Sequence, residues 1–321
     1  MRNLNLRPIR NELIELESLL NDSISSEIDL ATEVSSYLIK SGGKRIRPIL
    51  CITTGRMLGY KGKELINLSS AIELLHTATL IHDDVVDQST LRRGKESIHE
   101  KWDISHGVLV GDFVYSKAFQ LMASLSKKEI IELLANSTNK ISEGEVLQLS
   151  LKNEKKISEE EYFEIIDRKT GELFIAATKS ASILSSANKE QILSIEKFSK
   201  ALGRAFQVRD DLLDYLGDPN KTGKKIGKDF EEGKLTLPIL KILNSISEDK
   251  SEELLQKVKK GNKEDIQAVQ ALMHESGAIK EIKMICDDLS KECLKELQKF
   301  PKNVYQELLV ELVENLEVRL S

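Results

Sequence analysis

Apolar residues recur along this chain with a helical period. Ile9, Leu13, Leu16 and Leu20 mark one face of the segment 9–20, and Ile28, Ala31, Val34, Leu38 and Ile39 do the same over 28–39. That spacing predicts amphipathic helices in both segments. A longer helix is predicted over 63–87, with Leu65, Leu68, Ile72, Leu75, Thr79 and Val86 near one stripe. Residues 108–125 are more uniformly apolar, with Phe113, Ala118, Phe119, Leu121 and Met122, and predict a buried helix that could also wall an elongated apolar cavity. Further helical patterns run over 127–151, 158–187, 189–217, 250–260, 263–276, 278–298 and 302–319. Only five prolines interrupt the chain, and strand signatures are scarce, so the expected class is all-α.

Three stretches break the helical pattern, and each carries positive charge. Ser41-Gly42-Gly43-Lys44-Arg45-Ile46-Arg47-Pro48 ends one helix on glycines and opens the next on proline. Leu91-Arg92-Arg93-Gly94-Lys95 follows the 63–87 helix, and a Gly- and Lys-rich loop runs from Gly217 through Lys224, Lys225 and Gly227-Lys228-Asp229 to Lys234. The last is not a P-loop: Thr222 stands where its first glycine would be needed, and Asp229 replaces the metal-holding Ser or Thr. A flap over a phosphate site, closing as a lid, is the expected role of 217–234.

Acidic residues form two matching clusters. His82-Asp83-Asp84-Val85-Val86-Asp87 ends the 63–87 helix, and Arg209-Asp210-Asp211-Leu212-Leu213-Asp214 repeats the Asp-Asp-x-x-Asp pattern far downstream. Asp83 over Asp87, and Asp210 over Asp214, each put two carboxylates on one helix face. Like charges so placed repel, and burial adds a desolvation cost, so cations must neutralise them. Mg²⁺ suits such a site because it takes one or two carboxylates together with substrate phosphate oxygens. His76 lies about two turns before Asp83 and points roughly the same way; Gln207 lies one turn before Asp210–Asp211. Asp287-Asp288 lacks the third aspartate and reads as a solvated face; His99, Trp102 and His106 show no metal-ligand spacing.

Composition narrows the field without naming a reaction. The chain is 40% apolar and 31% charged, and its net charge of −5 gives the whole protein no electrostatic reason to bind nucleic acid. Cys51, Cys286 and Cys293 have no Cys-x-x-Cys spacing, as in buried thiols of a reducing compartment. Met1–Arg10 lacks a signal-peptide core, and no run of 18 apolar residues occurs. A cytoplasmic protein is expected, with surface attachment to membrane left open.

Taken together, Gly42–Pro48, His82–Asp87 with Leu91–Gly94, Gln207–Asp214 and Gly223-Lys224 to Lys234 resemble the motifs of the trans-polyprenyl diphosphate synthases, in family order. Ile72–His82 and Gly144–Leu149 are most similar to the long-chain, octaprenyl-forming members. The resemblance implies one all-helical domain over 1–321, a bundle around a deep central cavity, working as a homodimer. It implies Mg²⁺ at Asp83, Asp87 and Asp210, supported by Asp84, Asp211 and Asp214. Arg92, Lys169, Thr170, Gln207, Lys224 and Lys234 would hold the diphosphate of an allylic substrate such as farnesyl diphosphate. Lys44, Arg47, His76 and Arg93 would hold that of isopentenyl diphosphate. Asp83, Asp87, Asp210, Lys169, Gln207 and Lys224 would carry catalysis. Leu75, Ala78 and Thr79 are non-aromatic, whereas short-product relatives carry a bulky aromatic near the positions of Ala78 and Thr79, so a long product is expected, with Phe119 and Met122 as candidate tunnel floor. The product would feed a quinone side chain and leave through transient membrane contact. Other readings stay open: a farnesyl or geranylgeranyl diphosphate synthase, a class I terpene cyclase, and a non-catalytic subunit of a heteromeric synthase. Gly171, after Lys169-Thr170, is expected to loosen its helix by ~1 kcal/mol relative to Ala.

Overall fold

A computed structural model describes residues 4–151, 157–217 and 226–317. It is helical almost throughout: among the described residues the only strands are β1, Leu91–Arg92, and β2, Lys95–Glu96. The all-α expectation is met. The chain forms two compact units, the first from 1–138, 173–197 and 296–312, the second from 139–172, 198–295 and 313–321.

The first unit is built on α4, Glu64–Val86. A stripe was expected, but α4 buries residues around most of its circumference, including Leu65, Leu68, Ile72, Leu74, Leu75, Ala78 and Ile81. Each fully buried Leu or Ile contributes ~1.5–3 kcal/mol, which favours a central helix over a surface one. Val86, placed on the expected stripe, is 62% exposed, because α4 emerges from the core at its last turn. Around it stand α1, Arg10–Ser23; α2, Asp29–Lys40; α3, Ile46–Met57; the one-turn α5, Ile98–Lys101; and α6, Ile104–Ala123. The start of α7, Lys128–Leu151, also belongs to this unit. α6 lies closest to α4, because Gly107 and Gly111, four residues apart, leave room for Val85 and His82.

That close contact uses one face of α6 only. Val110, Val114, Ala118 and Met122 are buried, whereas Ile104, Val108, Leu109 and Phe119 are exposed. The buried helix expected over 108–125 is therefore amphipathic, with apolar residues on its open face as well. Phe119, one candidate tunnel floor, is 43% exposed, whereas Met122, the other, is buried.

The second unit holds α8, Glu159–Ile166; a π-helical turn, Asp167–Gly171; the end of α10, Lys189–Leu216; α11, Lys228–Glu231; α12, Leu237–Ser245; α13, Glu248–Lys260; and α14, Ile266–Glu275. α9, Glu172–Leu184, belongs mainly to the first unit, and α15, Ala278–Leu297, mainly to the second. α16, Val304–Glu317, ends the described chain. Ser158 and Glu161 form a reciprocal capping box that starts α8. Tyr162, Val208, Leu212, Tyr215, Phe230 and Leu240 share the unit's core with Cys286. Gly171 does not loosen a regular helix. It sits in the π-turn, and a side chain on Gly203 would meet the Gly171 Cα at 2.8 Å, so the two glycines let two backbones touch.

Candidate active site

Each unit carries one carboxylate cluster, and the two have the same internal plan. α4 runs through Asp83, with Asp87 as its C-cap, whose backbone N–H donates to the Asp83 carbonyl at 2.8 Å. The helical spacing therefore holds to the end of the first cluster. α10 carries Asp210, Asp211 and Asp214 within its last two turns. In both clusters the outer pair, Asp83 with Asp87 and Asp210 with Asp214, is half-buried, while the middle aspartate is buried: Asp84 is 3% exposed and Asp211 2%.

The buried aspartates are satisfied differently. Asp84 accepts from the Arg92 Nε at 2.9 and 3.0 Å and from its Nη2. Arg92 thus faces into the first cluster from β1, and burial of its guanidinium is outweighed by Asp84, Asp83 and Asp87, which raise its pKa. Asp211 has no such cation. The Tyr162 hydroxyl donates to its Oδ2 at 2.7 Å, and the Gln207 Nε2 donates to its Oδ1 at 2.7 Å. Burial pushes Asp211 up to about 7 against those two hydrogen bonds, helped by Asp210 and Asp214.

Around the second cluster the structure groups several predicted residues. The Thr170 hydroxyl donates to the Gln207 Oε1 at 2.8 Å, so Thr170, Gln207 and Asp211 form one chain of hydrogen bonds. Lys169 reaches Gln148 Oε1 and Glu145, each at 2.6 Å. Asp214 accepts backbone N–H bonds from Lys228 at 3.2 Å and Asp229 at 3.0 Å. Lys234 pairs with Glu232 at 2.6 Å. Burial drives Asp229 well above the usual carboxylate range, with Asp211 and Asp214 adding to it. Lys224, with the rest of residues 218–225 in the loop read as a lid, lies outside the described residues.

A second grouping, in the first unit, collects the other basic motifs. Arg47 donates from Nη1 toward the His76 Nε2 at 3.0 Å, and its guanidinium lies 5.0 Å from the Phe174 ring centre. Burial, with Arg93 nearby, lowers Arg47 to about 10 and holds His76 well below its usual value, so the imidazole is neutral. Arg93 sits at the β1–β2 turn with φ 55°, and its guanidinium fills the space where a side chain on Gly43 would stand, 2.8 Å away. Arg47, His76 and Arg93, from three separated stretches, thus meet beside Gly42-Gly43-Lys44. Lys44 itself is exposed.

Several residues of this site had no sequence signal strong enough to single them out. Glu73, 3% exposed, bonds Arg45 at 2.9 Å; Tyr162 and Asp229 flank Asp211; Phe174 faces Arg47. Glu73 lies one turn before His76, the one hint available, but a lone Glu in an apolar helix is ordinarily a surface residue. Of the positions expected to govern product length, Leu75, Ala78 and Met122 are buried, Thr79 is half-buried with its hydroxyl donating to the His76 carbonyl at 2.9 Å, and Phe119 is exposed. No group of three or more His, Cys, Asp or Glu is gathered for a metal among the described residues.

Half-buried carboxylate pairs at one-turn spacing, one in each unit, and Arg92 paired with Asp84 on an all-helical frame are features that the resemblance to the trans-polyprenyl diphosphate synthases implies. Comparison with known proteins agrees. The Polyprenyl synthetase family model matches residues 28–275, and the chain belongs to that family of prenyltransferases. It is 34% identical to the octaprenyl diphosphate synthase of Escherichia coli (strain K12) over 302 residues, 94% of each chain. It is 35% identical to an all-trans-nonaprenyl-diphosphate synthase (geranyl-diphosphate specific) of Rhodobacter capsulatus over 308 residues, 96% of this chain and 94% of that one. A crystal structure of polyprenyl synthase from Caulobacter crescentus CB15, complexed with calcium and isoprenyl diphosphate, superposes with a TM-score of 0.93 at 34% identity, covering 98% of this chain and 97% of the other. No helix among the described residues is long and apolar enough to cross a membrane.

Proposed function

We propose that this chain is a long-chain trans-polyprenyl diphosphate synthase, adding isopentenyl diphosphate by sequential 1'-4 condensation to an allylic diphosphate, with an eight-unit product as the best match. The observation that carries this reading is the repeated cluster, a half-buried aspartate pair around a buried aspartate, in a chain similar over nearly its whole length to octaprenyl and nonaprenyl synthases.

The donor set fits Mg²⁺: the outer pairs of both clusters offer carboxylate oxygens, and such a hard ion takes the rest of its coordination from phosphate and water. Asp83, Asp87 and Asp210 would hold it, with Asp84, Asp211 and Asp214 behind them. When bound, Mg²⁺ supplies positive charge to the departing diphosphate. Arg92, Lys169, Thr170, Gln207, Lys224 and Lys234 orient the allylic diphosphate and stabilise its charge as the C–O bond breaks. Lys44, Arg47, His76 and Arg93 hold isopentenyl diphosphate so that its double bond meets the allylic carbon; the proton then lost is taken up by the diphosphate. No protein nucleophile takes part.

The growing tail would run along α4 past Ala78, Thr79 and Leu75 toward Met122. Phe119, exposed on α6, contributes to that route only if a second copy of the chain covers it. A homodimer, a cytoplasmic location, product release at a membrane surface and use of the product for a quinone side chain complete the reading, and one working domain over 1–321 would join both clusters in one reaction.

The test is product analysis: purified protein with farnesyl diphosphate, labelled isopentenyl diphosphate and Mg²⁺, with and without chelator, the dephosphorylated products sized by mass spectrometry. A chelator-sensitive ladder ending in one long polyprenol is expected. A cyclised hydrocarbon, or no consumption of either substrate, overturns the reading. Ala78→Phe should shorten the product; an unchanged ladder means the tail runs elsewhere.

A further inference from the structure

We propose that Glu73 is a positioning residue for the isopentenyl diphosphate site, the buried counter-charge that holds Arg45, Arg47 and Arg93 in place before substrate arrives. The inference rests on the reading that Arg47 and Arg93 bind that diphosphate. Arg45 is the N-cap of α3 in a left-handed conformation, φ 47°, which a non-glycine residue adopts only when its surroundings hold it there. Its guanidinium is fixed by Glu17 Oε1 at 2.6 Å and Oε2 at 3.1 Å, by Glu73 Oε1 at 2.9 Å and by the Ile39 carbonyl at 3.2 Å. Locking Arg45 sets where α3 begins, and so where Arg47, two residues on, can point.

Charge makes the same case. Arg45, Arg47 and Arg93 all act electrostatically on Glu73 and favour its ionised form, against its burial. Arg93 also acts on Arg47, and Arg45 on Arg93, as like charges. A buried carboxylate among guanidinium groups offsets that repulsion without occupying the face that a diphosphate would take, because it bonds Arg45 rather than Arg47 or Arg93. Glu73 lies on α4 one turn before His76, so the same rigid helix sets both. Preorganised charge of this kind acts on affinity for the anion it faces and leaves the other substrate untouched.

The experiment measures KM for isopentenyl diphosphate, KM for the allylic substrate and kcat in the full-length enzyme with Mg²⁺, for wild type, Glu73→Gln, Glu73→Asp and Arg93→Ala. Expected for Glu73→Gln is a rise of ~10–100-fold in KM for isopentenyl diphosphate, the scale on which supporting partners usually act, with the allylic KM and kcat unchanged. Glu73→Asp, which keeps the charge, should restore part of the loss. If Glu73→Gln leaves that KM at the wild-type value while Arg93→Ala raises it, the positioning role is wrong and the site assignment stands. If Arg93→Ala also leaves it unchanged, the site assignment fails and takes the positioning role with it. Equal rises for both substrates, or a change in kcat alone, would reduce Glu73 to a structural residue. Should Glu73→Gln not fold, Glu73→Asp decides: a rise confined to isopentenyl diphosphate supports the role, and an unchanged KM overturns it.

Discussion

The two aspartate clusters share a sequence pattern and a helical register, yet they neutralise their buried member by opposite means. Asp84 is paired with a cation, Arg92, whereas Asp211 is held by two neutral donors, Tyr162 and Gln207. An ion pair keeps a buried carboxylate charged at the price of burying a second charge. Neutral donors avoid that second charge and let burial raise the carboxylate toward neutral pH. One motif thus gives an ion-paired aspartate in the first unit and, in the second, an aspartate that burial raises to about 7.

The half-buried outer pairs should behave alike, and their loss is the largest expected effect. Asp83→Ala and Asp210→Ala should each lower turnover by about 10²–10³-fold, the scale for removing a group that stabilises developing charge, with far-UV circular dichroism unchanged. Turnover near wild type in either variant would remove that cluster from the chemistry.

The buried members should then separate. Asp84→Asn leaves Arg92 without its counter-ion and should cost about 3 kcal/mol in urea unfolding, at the low end for a broken buried pair because the Arg92 side chain is 25% exposed. Asp211→Asn should cost less, since the Tyr162 hydroxyl can turn to accept a hydrogen bond from the new amide. Equal losses would mean that the two clusters are not electrostatically distinct.

Proton linkage sharpens the contrast. Asp211 is raised in the folded protein, so between its ordinary pKa and about 7 the folded state keeps a proton that the unfolded chain has released. Stability of the metal-free protein should therefore be greatest at the acid end of this window, fall as pH rises through it and level off above it. Asp211→Asn should flatten this contribution, and Asp84→Asn should leave it. Thermal melts in chelator from about pH 4.5 to about pH 8 read it out. The smallest effect is expected at the Gly171–Gly203 contact: Gly203→Ala should cost ~1–3 kcal/mol by forcing the backbones apart, without altering the pH profile.

Much of the fold was readable because helices are local. Caps, prolines and a 3.6-residue period placed most elements to within a few residues, from 28–39, observed as Asp29–Lys40, to 189–217, observed as Lys189–Leu216. The expectation failed where a second element decides. Val86 fits an apolar stripe by spacing, yet it is exposed because α4 leaves the core there. Phe119 reads as buried, yet α6 turns its glycine-containing face to α4 and leaves Phe119 outside. Gly171 reads as a weak point until Gly203 is seen against it.

By itself the sequence determined the helical class and the one-turn spacing of both carboxylate pairs, because each depends on residues a few positions apart. Only the tertiary structure decided that Arg92 answers Asp84 while Tyr162 and Gln207 answer Asp211, and that Glu73 stands among Arg45, Arg47 and Arg93. Such pairings depend on distance through space, and burial makes their electrostatics strong; neither is written in local order along the chain.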